Sequence, residues 1–142
     1  MSKGNTFEND LLQLIFNAVA IANVAQNGTS PITNIEVSLH TGNPDEAGDQ
    51  TTLETAYTGY ARIPVARTSG GWTITANSVS PVANIDFGEC SASPGNPITY
   101  FGVGTAHTAA GKLLYSGTVS PTITMAVGVI PRLKTTSTIT ED

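Results

Sequence analysis

The chain has 142 residues, a formal charge of −5 at pH 7 and a single cysteine, Cys90. A negative chain lacks the basic surface of nucleic-acid-binding proteins, so the charge argues against a nucleic-acid partner. One cysteine excludes an internal disulfide and any zinc site built from several cysteines, and we expect Cys90 to be a small buried or half-buried thiol.

The first predicted element is an apolar helix over residues 6–25. Thr6 can cap its start, and Glu8 and Asp10 suit the positive end of the helix dipole. Polar residues interrupt the apolar run, so it is too polar to span a membrane. It also lacks the basic start and the order of regions that a secretory signal has. Only a narrow strip is polar, so we expect the helix to dock on its own sheet or on another subunit. Its candidate interface residues are Phe7, Leu11 and Phe16.

Residues 32–142 carry short segments in which apolar and polar residues alternate, and turn signals separate these segments. This pattern predicts a mainly β fold, an antiparallel jelly roll or β-sandwich of about eight strands, within one domain spanning residues 1–142. Pro64 lacks an amide hydrogen, so its strand should lie at a sheet edge or contain a bulge. The predicted strands are 35–40, 60–67, 72–76, 79–82, 84–87, 98–104, 112–118, 122–129 and 137–140.

An acidic loop follows the first strand. His40 ends that strand, and four carboxylates, Asp45, Glu46, Asp49 and Glu54, come before the next basic residue, Arg62. Histidine and carboxylates can bind metals, but the spacing lacks the frame of a calcium loop. We therefore expect a solvated surface that another protein reads, and no metal.

Catalysis is not indicated either. His107 lies in a turn of small residues, no serine lies in a nucleophile motif, and no carboxylate pair with a defined separation can be placed. Gly102 and Gly104 resemble part of a phosphate loop but lack the third glycine and the helix, so we expect a bulge or a close approach of another backbone. The sequence predicts no enzyme and no cofactor.

The order of several motifs along the chain resembles a family of small virion structural proteins from tailed bacteriophages. The resemblance covers nearly the whole chain. The motifs are LHTGNPDEAG at 39–48, YTGYAR at 57–62, RTSGGW at 67–72, FGVGT at 101–105, KLLYSG at 112–117 and TED at 140–142.

The resemblance implies a function as well as a fold. The family is similar to capsid decoration, or cement, proteins with a jelly-roll fold, although members are sometimes labelled tail fibre protein. It implies a homotrimer, made in the host cytoplasm, that binds the outside of the capsid and bridges major capsid protein subunits, with no nucleic-acid or membrane partner. The alternative is a tail fibre or tail-tip module that binds a receptor, such as a surface glycan held by Trp72.

The resemblance and the charge pattern together predict an interface at residues 39–62. The acidic stretch would meet basic residues of the capsid or of a neighbouring subunit. Tyr57, Tyr60 and Arg62 are the predicted anchors, because aromatic and arginine side chains are enriched at interface hot spots.

Overall fold

The computed structural model describes residues 5–20 and 32–141, and the side chains of the helix from residue 8 onward. The predicted class is confirmed: the described chain is mainly β, with one N-terminal helix and antiparallel sheets, consistent with a β-sandwich. The elements are α1 Asn5–Asn17, β1 Asn34–His40, β2 Ile63–Ala66, β3 Trp72–Thr75, β4 Ser78–Pro81, β5 Ile85–Asp86, β6 Ile98–Gly104, β7 Leu113–Ile123, β8 Arg132–Leu133 and β9 Ile139–Thr140.

The strands form three sheets, with the orders β2-β1-β6-β7, β3-β4-β9 and β5-β8. Contacts divide the chain into two compact units, each made of discontinuous segments. Unit 1 comprises residues 1–34, 65–84 and 134–142, and unit 2 comprises residues 35–64 and 85–133. The single domain expected from the length stays a prediction.

The helix ends earlier than its apolar pattern suggests. It was predicted to run to residue 25, but it ends at Asn17, and residues 21–25 lie outside the described part of the chain. Ala18 has a left-handed backbone (φ 57°), and the amide of Val19 donates to the carbonyl of Gln13 (3.1 Å). A left-handed residue that redirects the last free carbonyls is a common way to stop a helix.

In unit 1 the helix covers its own sheet, one of the two positions expected for it. Leu12 and Phe16 are fully buried, and the Phe16 ring meets Trp72 edge to face at 4.7 Å. Asn9 donates its side-chain amide to the carbonyl of Ala76 (2.6 Å), just beyond β3. Aromatic pairs in this geometry contribute about 0.5–1.5 kcal/mol beyond the area they bury.

Arg67 closes the other end of the helix. Its Nε donates to the carbonyl of Ile15 (2.5 Å), and its Nη2 donates to the carbonyl of Leu14. Burial lowers the pKa of the Arg67 guanidinium. A cation at a helix C-terminus satisfies carbonyls that have no partner within the helix and opposes the negative end of the dipole.

Most of the predicted strands are present in the structure, and the differences lie in the C-terminal part of the chain. Pro64 lies in β2, an edge strand, as expected. Segments 112–118 and 122–129 were predicted as separate strands, but a single strand, β7, runs from Leu113 to Ile123. Its pairing with β6 shifts register between Ile98 and Tyr100, from Ile123 to Thr118, and Pro121 lies within the residues that this shift passes over. The two-residue strand β8 was not predicted, since so short a segment has no periodicity.

Candidate protein interface

The acidic loop, residues 41–54, folds back onto the end of β1. The amide of Thr41 donates to the carbonyl of Leu53 (2.8 Å), and the amide of Thr55 donates to the carbonyl of Leu39 (3.0 Å). These two bonds close the base of the loop like a short β-ladder. The alternation in β1 predicts one buried face, but residues 35–40 are buried on both faces, in part because this loop covers the second one.

Gly102 and Gly104 in β6 leave the space that allows the acidic loop to pack against the sheet. The register shift between Val103 and Gly104 confirms the expected bulge, but the close neighbours of the glycines are side chains rather than backbone. A Cβ on Gly102 would lie 2.7 Å from Nε2 of His40, and one on Gly104 would lie 2.2 Å from Cδ of Gln50. The side chains of His40 and Gln50 therefore occupy the space that side chains at Gly102 and Gly104 would fill.

His40 is a structural residue in this arrangement. It is fully buried, its Nδ1–H donates to the carbonyl of Thr52 (2.8 Å), and the hydroxyl of Ser38 donates to its Nε2 (2.9 Å). Burial lowers the pKa of His40, more than the bond to Thr52 and the charge of Glu54 raise it. Both ring nitrogens of the neutral form are thus occupied by hydrogen bonds.

Arg62 and Glu54 form the charged centre of this part of unit 2. Nε and Nη2 of Arg62 donate to the two carboxylate oxygens of Glu54 at 2.7 Å each. The hydroxyl of Tyr60 donates to the same carboxylate (2.7 Å) and accepts from the amide of Leu39 (3.1 Å). The bond to Glu54 raises the pKa of Arg62, and burial raises the pKa of Tyr60. This is a bidentate pair whose further hydrogen bonds offset the cost of burial.

The same arginine fixes a second loop, the His107 loop (residues 105–111). Nη1 of Arg62 donates to the carbonyls of Ala106 (2.7 Å) and Ala109 (2.8 Å). Gln50 accepts from the amide of Ala106 (2.9 Å), and Nδ1 of His107 donates to the carboxylate of Glu36 (2.8 Å). The acidic loop, β1 and the His107 loop are therefore one hydrogen-bonded assembly.

The predicted acidic residues divide into two groups. Asp45 and Glu46 are exposed at the tip of the acidic loop. Asp49 is half-buried and accepts from the amide (2.8 Å) and the hydroxyl (2.6 Å) of Thr51, bonds that lower the pKa of its carboxyl group. Glu54 is held by Arg62. Only the first pair presents its carboxylates to solvent without a described side-chain partner.

The predicted anchors lie below the surface. Tyr57 is buried and donates to the carbonyl of Gly88 (2.8 Å), and burial raises the pKa of Tyr57 to about 12. Tyr60 is half-buried, and Arg62 is buried. Direct contact of these three residues with a partner stays a prediction. In the described chain they hold loops in place.

The structure describes the side chains of two of the three helix residues predicted for the interface, and it also describes Cys90. Phe16 is buried against Trp72, Leu11 is half-buried, and the side chain of Phe7 lies outside the described residues. Cys90 is a free, fully buried thiol, as expected.

An open cleft of about 500 Å³ lies beside the acidic loop. One wall is the start of β7, and the other is the tip of the acidic loop. Sequence reasoning missed this cleft, because residues 43–48 and residues 113–116 meet only in the folded chain. The described residues that line it are Asn43, Asp45, Glu46, Gly48, Leu113, Leu114, Tyr115 and Ser116.

No group of three or more His, Cys, Asp or Glu side chains within residues 5–20 and 32–141 is placed to hold a metal ion. Within those same ranges no helix is long and apolar enough to cross a bilayer.

Comparison with known proteins gives one finding. A family model described as "Podophage GP4 fiber I protein gp80" matches residues 2–140. No curated protein sequence matches the chain. The matched range includes the acidic loop, the His107 loop and β7, so the family relationship extends over the whole candidate interface.

Proposed function

Because the chain belongs to the podophage GP4 fiber I protein gp80 family and is therefore a structural protein of a phage virion, we propose that it serves in the fibre apparatus as a compact, non-catalytic module. The observation that carries this proposal is the family match over residues 2–140. The family is described as one of fibre proteins.

The module would be a connecting or terminal part of a fibre and not its shaft. Shafts of tail fibres are long and repetitive, whereas the described chain forms three small antiparallel sheets within two compact units. Its longest described strand, β7, has 11 residues. Elements of this kind suit a joint or a tip, where loops on a rigid scaffold make the contacts.

A non-catalytic role is supported by how the candidate catalytic groups are used. The ring of His40 has both nitrogens in hydrogen bonds, and the carboxylate of Glu54 is shared by Arg62 and Tyr60. Groups used in this way stabilise the fold, since both nitrogens of the His40 ring and both oxygens of the Glu54 carboxylate already have hydrogen-bond partners within the protein.

Capsid decoration is the second candidate, with the protein bridging major capsid protein subunits as a homotrimer. The small antiparallel sheets are compatible with this role, because they fit a cement protein as well as they fit a fibre joint. In either case the partner is another virion protein, and the exposed pair Asp45 and Glu46 favours a basic surface on that partner.

Copy number per virion distinguishes the two locations. Quantitative mass spectrometry of purified virions would give the ratio of this protein to the major capsid protein and to a tail protein of known stoichiometry. We expect a ratio matching the tail symmetry, with immunogold labelling at the tail. A ratio close to that of the major capsid protein, with labelling over the head, would overturn the fibre proposal in favour of decoration. Absence from the virion would contradict both.

A further inference from the structure

β7 is an edge strand whose first half carries no residue that would block pairing with a further strand. It is the last strand in the order β2-β1-β6-β7, so among the described strands only β6 pairs with it. Backbone groups alternate in direction along a strand, so every second residue of β7 directs its N–H and C=O away from β6. Proteins commonly protect such an edge with proline or charged residues. The sequence of residues 113–118, LLYSGT, has neither, and Pro121 blocks only the second half.

The cleft runs along this edge. Four consecutive residues of β7, 113–116, line it. Because neighbouring side chains of a strand point to opposite faces, four consecutive lining residues place the cleft along the edge of the strand and not over one face. Its other wall carries the exposed carboxylates of Asp45 and Glu46, and none of the lining residues within the described ranges 5–20 and 32–141 is basic.

From this geometry we infer that the edge of β7 at residues 113–118 accepts an extended basic segment of another virion protein, which adds to the sheet as a fifth strand. Backbone hydrogen bonds would supply affinity, and Lys or Arg side chains facing Asp45 and Glu46 would select the segment. The identity of the partner's class, a virion protein, rests on the proposed function. The inferences that β7 pairs with a partner strand and that this strand is basic do not depend on the proposed function, because they rest on the geometry and charge of the cleft.

A second copy of the chain fits the cleft less well than a basic partner. The chain has six Lys and Arg residues and a net charge of −5. No described strand carries more than one Lys or Arg, and Arg132 in β8 is paired with Asp86. Strand addition by another copy would therefore bring no row of basic side chains to Asp45 and Glu46.

The test uses the full chain and a defined peptide. The probe is a blocked peptide of alternating Lys and Val, and its control is a peptide of equal charge with proline at alternate positions, which cannot pair with a strand edge. Calorimetry would give the dissociation constants, and amide hydrogen exchange would locate the contact. We expect the Lys-Val peptide to bind and to slow exchange in residues 113–118. Equal binding of the two peptides, or protection elsewhere, would overturn the inference.

Charge-reversed variants test the acidic wall. Asp45→Lys or Glu46→Lys should weaken peptide binding about fivefold each, the effect of losing one exposed charge pair. Glu89→Lys is the matched control, because Glu89 is exposed in the same unit but does not line the cleft. An equal loss in the control would show that only overall charge matters and would sink the proposed site.

The assembled virion identifies the occupant. A photo-crosslinking amino acid at Ser116, which is exposed, would join the chain to whatever lies on the edge. We expect a crosslink to an extended segment of a different virion protein with alternating basic residues. A crosslink to a second copy, or none in virions that contain the protein, would overturn the inference. The copy-number measurement does not depend on this outcome, so failure of the edge and failure of the fibre proposal are distinguishable.

Discussion

Arg62 and Glu54 face each other through two parallel hydrogen bonds of 2.7 Å, and their side chains are only 3% and 15% exposed. The chain contains a second bidentate pair, Arg132 with Asp86, whose side chains are 50% and 47% exposed. The two pairs have the same chemistry and different solvent access, so each is a control for the other.

Arg62→Lys should therefore destabilise the protein far more than Arg132→Lys. A lysine cannot form the fork to Glu54 and reach two loop carbonyls as well, so the buried carboxylate loses partners, at a cost of about 3 kcal/mol. The exposed pair is screened by water, and its loss should leave stability unchanged within error. Urea unfolding of both variants measures the difference, and equal midpoints would contradict the structural role assigned to Arg62.

Gly104→Ala tests the space that the Gln50 side chain occupies. The new Cβ would overlap the Gln50 side chain, and overpacking of this kind costs about 1–3 kcal/mol. Gly70→Ala is the control, because its Cβ would meet its nearest neighbour, Oγ1 of Thr68, at an ordinary 3.5 Å. Adding Gln50→Ala to Gly104→Ala should recover part of the loss, so the two substitutions should be non-additive in thermal unfolding. Strict additivity would show that Gln50 and Gly104 do not meet.

The pKa of His40 predicts acid sensitivity. Burial lowers it below the ordinary value of 6.5, so as the pH falls below 6.5 the unfolded chain takes up a proton that the folded chain does not. Stability should then fall with decreasing pH, by at most about 1.4 kcal/mol per pH unit for one group. Asp49 and Asp86, whose pKa values are lowered from 3.8, lose their contribution only in more acidic solution.

His40→Gln should flatten this dependence between about pH 7 and pH 5, whatever it does to stability at neutral pH. His107→Gln is the control, because it removes the chain's other histidine and leaves the buried ring of His40 in place, so the fall should persist. Denaturant unfolding across the range measures both slopes. An unchanged slope in the His40 variant would mean that another group titrates.

Arg67→Ala should fray the end of the helix. Without the guanidinium, the carbonyls of Leu14 and Ile15 lose their donors, and removing a partly buried cap of this kind costs about 1–2 kcal/mol. Amide exchange in residues 12–17 should accelerate in proportion. Lys134→Ala removes the same charge from an exposed position in unit 1 and should leave exchange in the helix unchanged. Similar exchange in both variants would refute the capping role.

The sequence predicts those features that depend on neighbouring residues. Alternation and turn residues indicate the β class, Pro64 indicates an edge, and Gly102 with Gly104 indicates an irregular strand. The contacts that build the site depend instead on residues far apart in the chain. Arg67 is 52 positions from Ile15, and Arg62 is 44 positions from Ala106. No local pattern reveals such partners, so the sequence alone predicts a surface anchor at Arg62. Only the fold shows that its side chain is buried and bonded to two loops.

The same limit applies to the acidic loop. Four carboxylates in one stretch predict a solvated surface, but the sequence cannot divide them into an exposed pair at the tip and residues that hold the base. The division follows from Gly102 and Gly104, since the space they leave allows His40 and Gln50 to fix the base against β6. Spacing in the sequence identifies the glycines but not the side chains that occupy their places.

The closed base of the acidic loop has a practical consequence for protein engineering. The bonds of Thr41 and Thr55 join its two ends, while Glu46 and Ala47 at the tip are exposed. Lengthening a loop whose ends are already fixed costs little, because closure entropy grows only with the logarithm of its length. An insertion between residues 46 and 47 should therefore leave the scaffold folded even though it disturbs the proposed contact at Asp45 and Glu46, so a tag at this position would separate loss of partner binding from loss of folding.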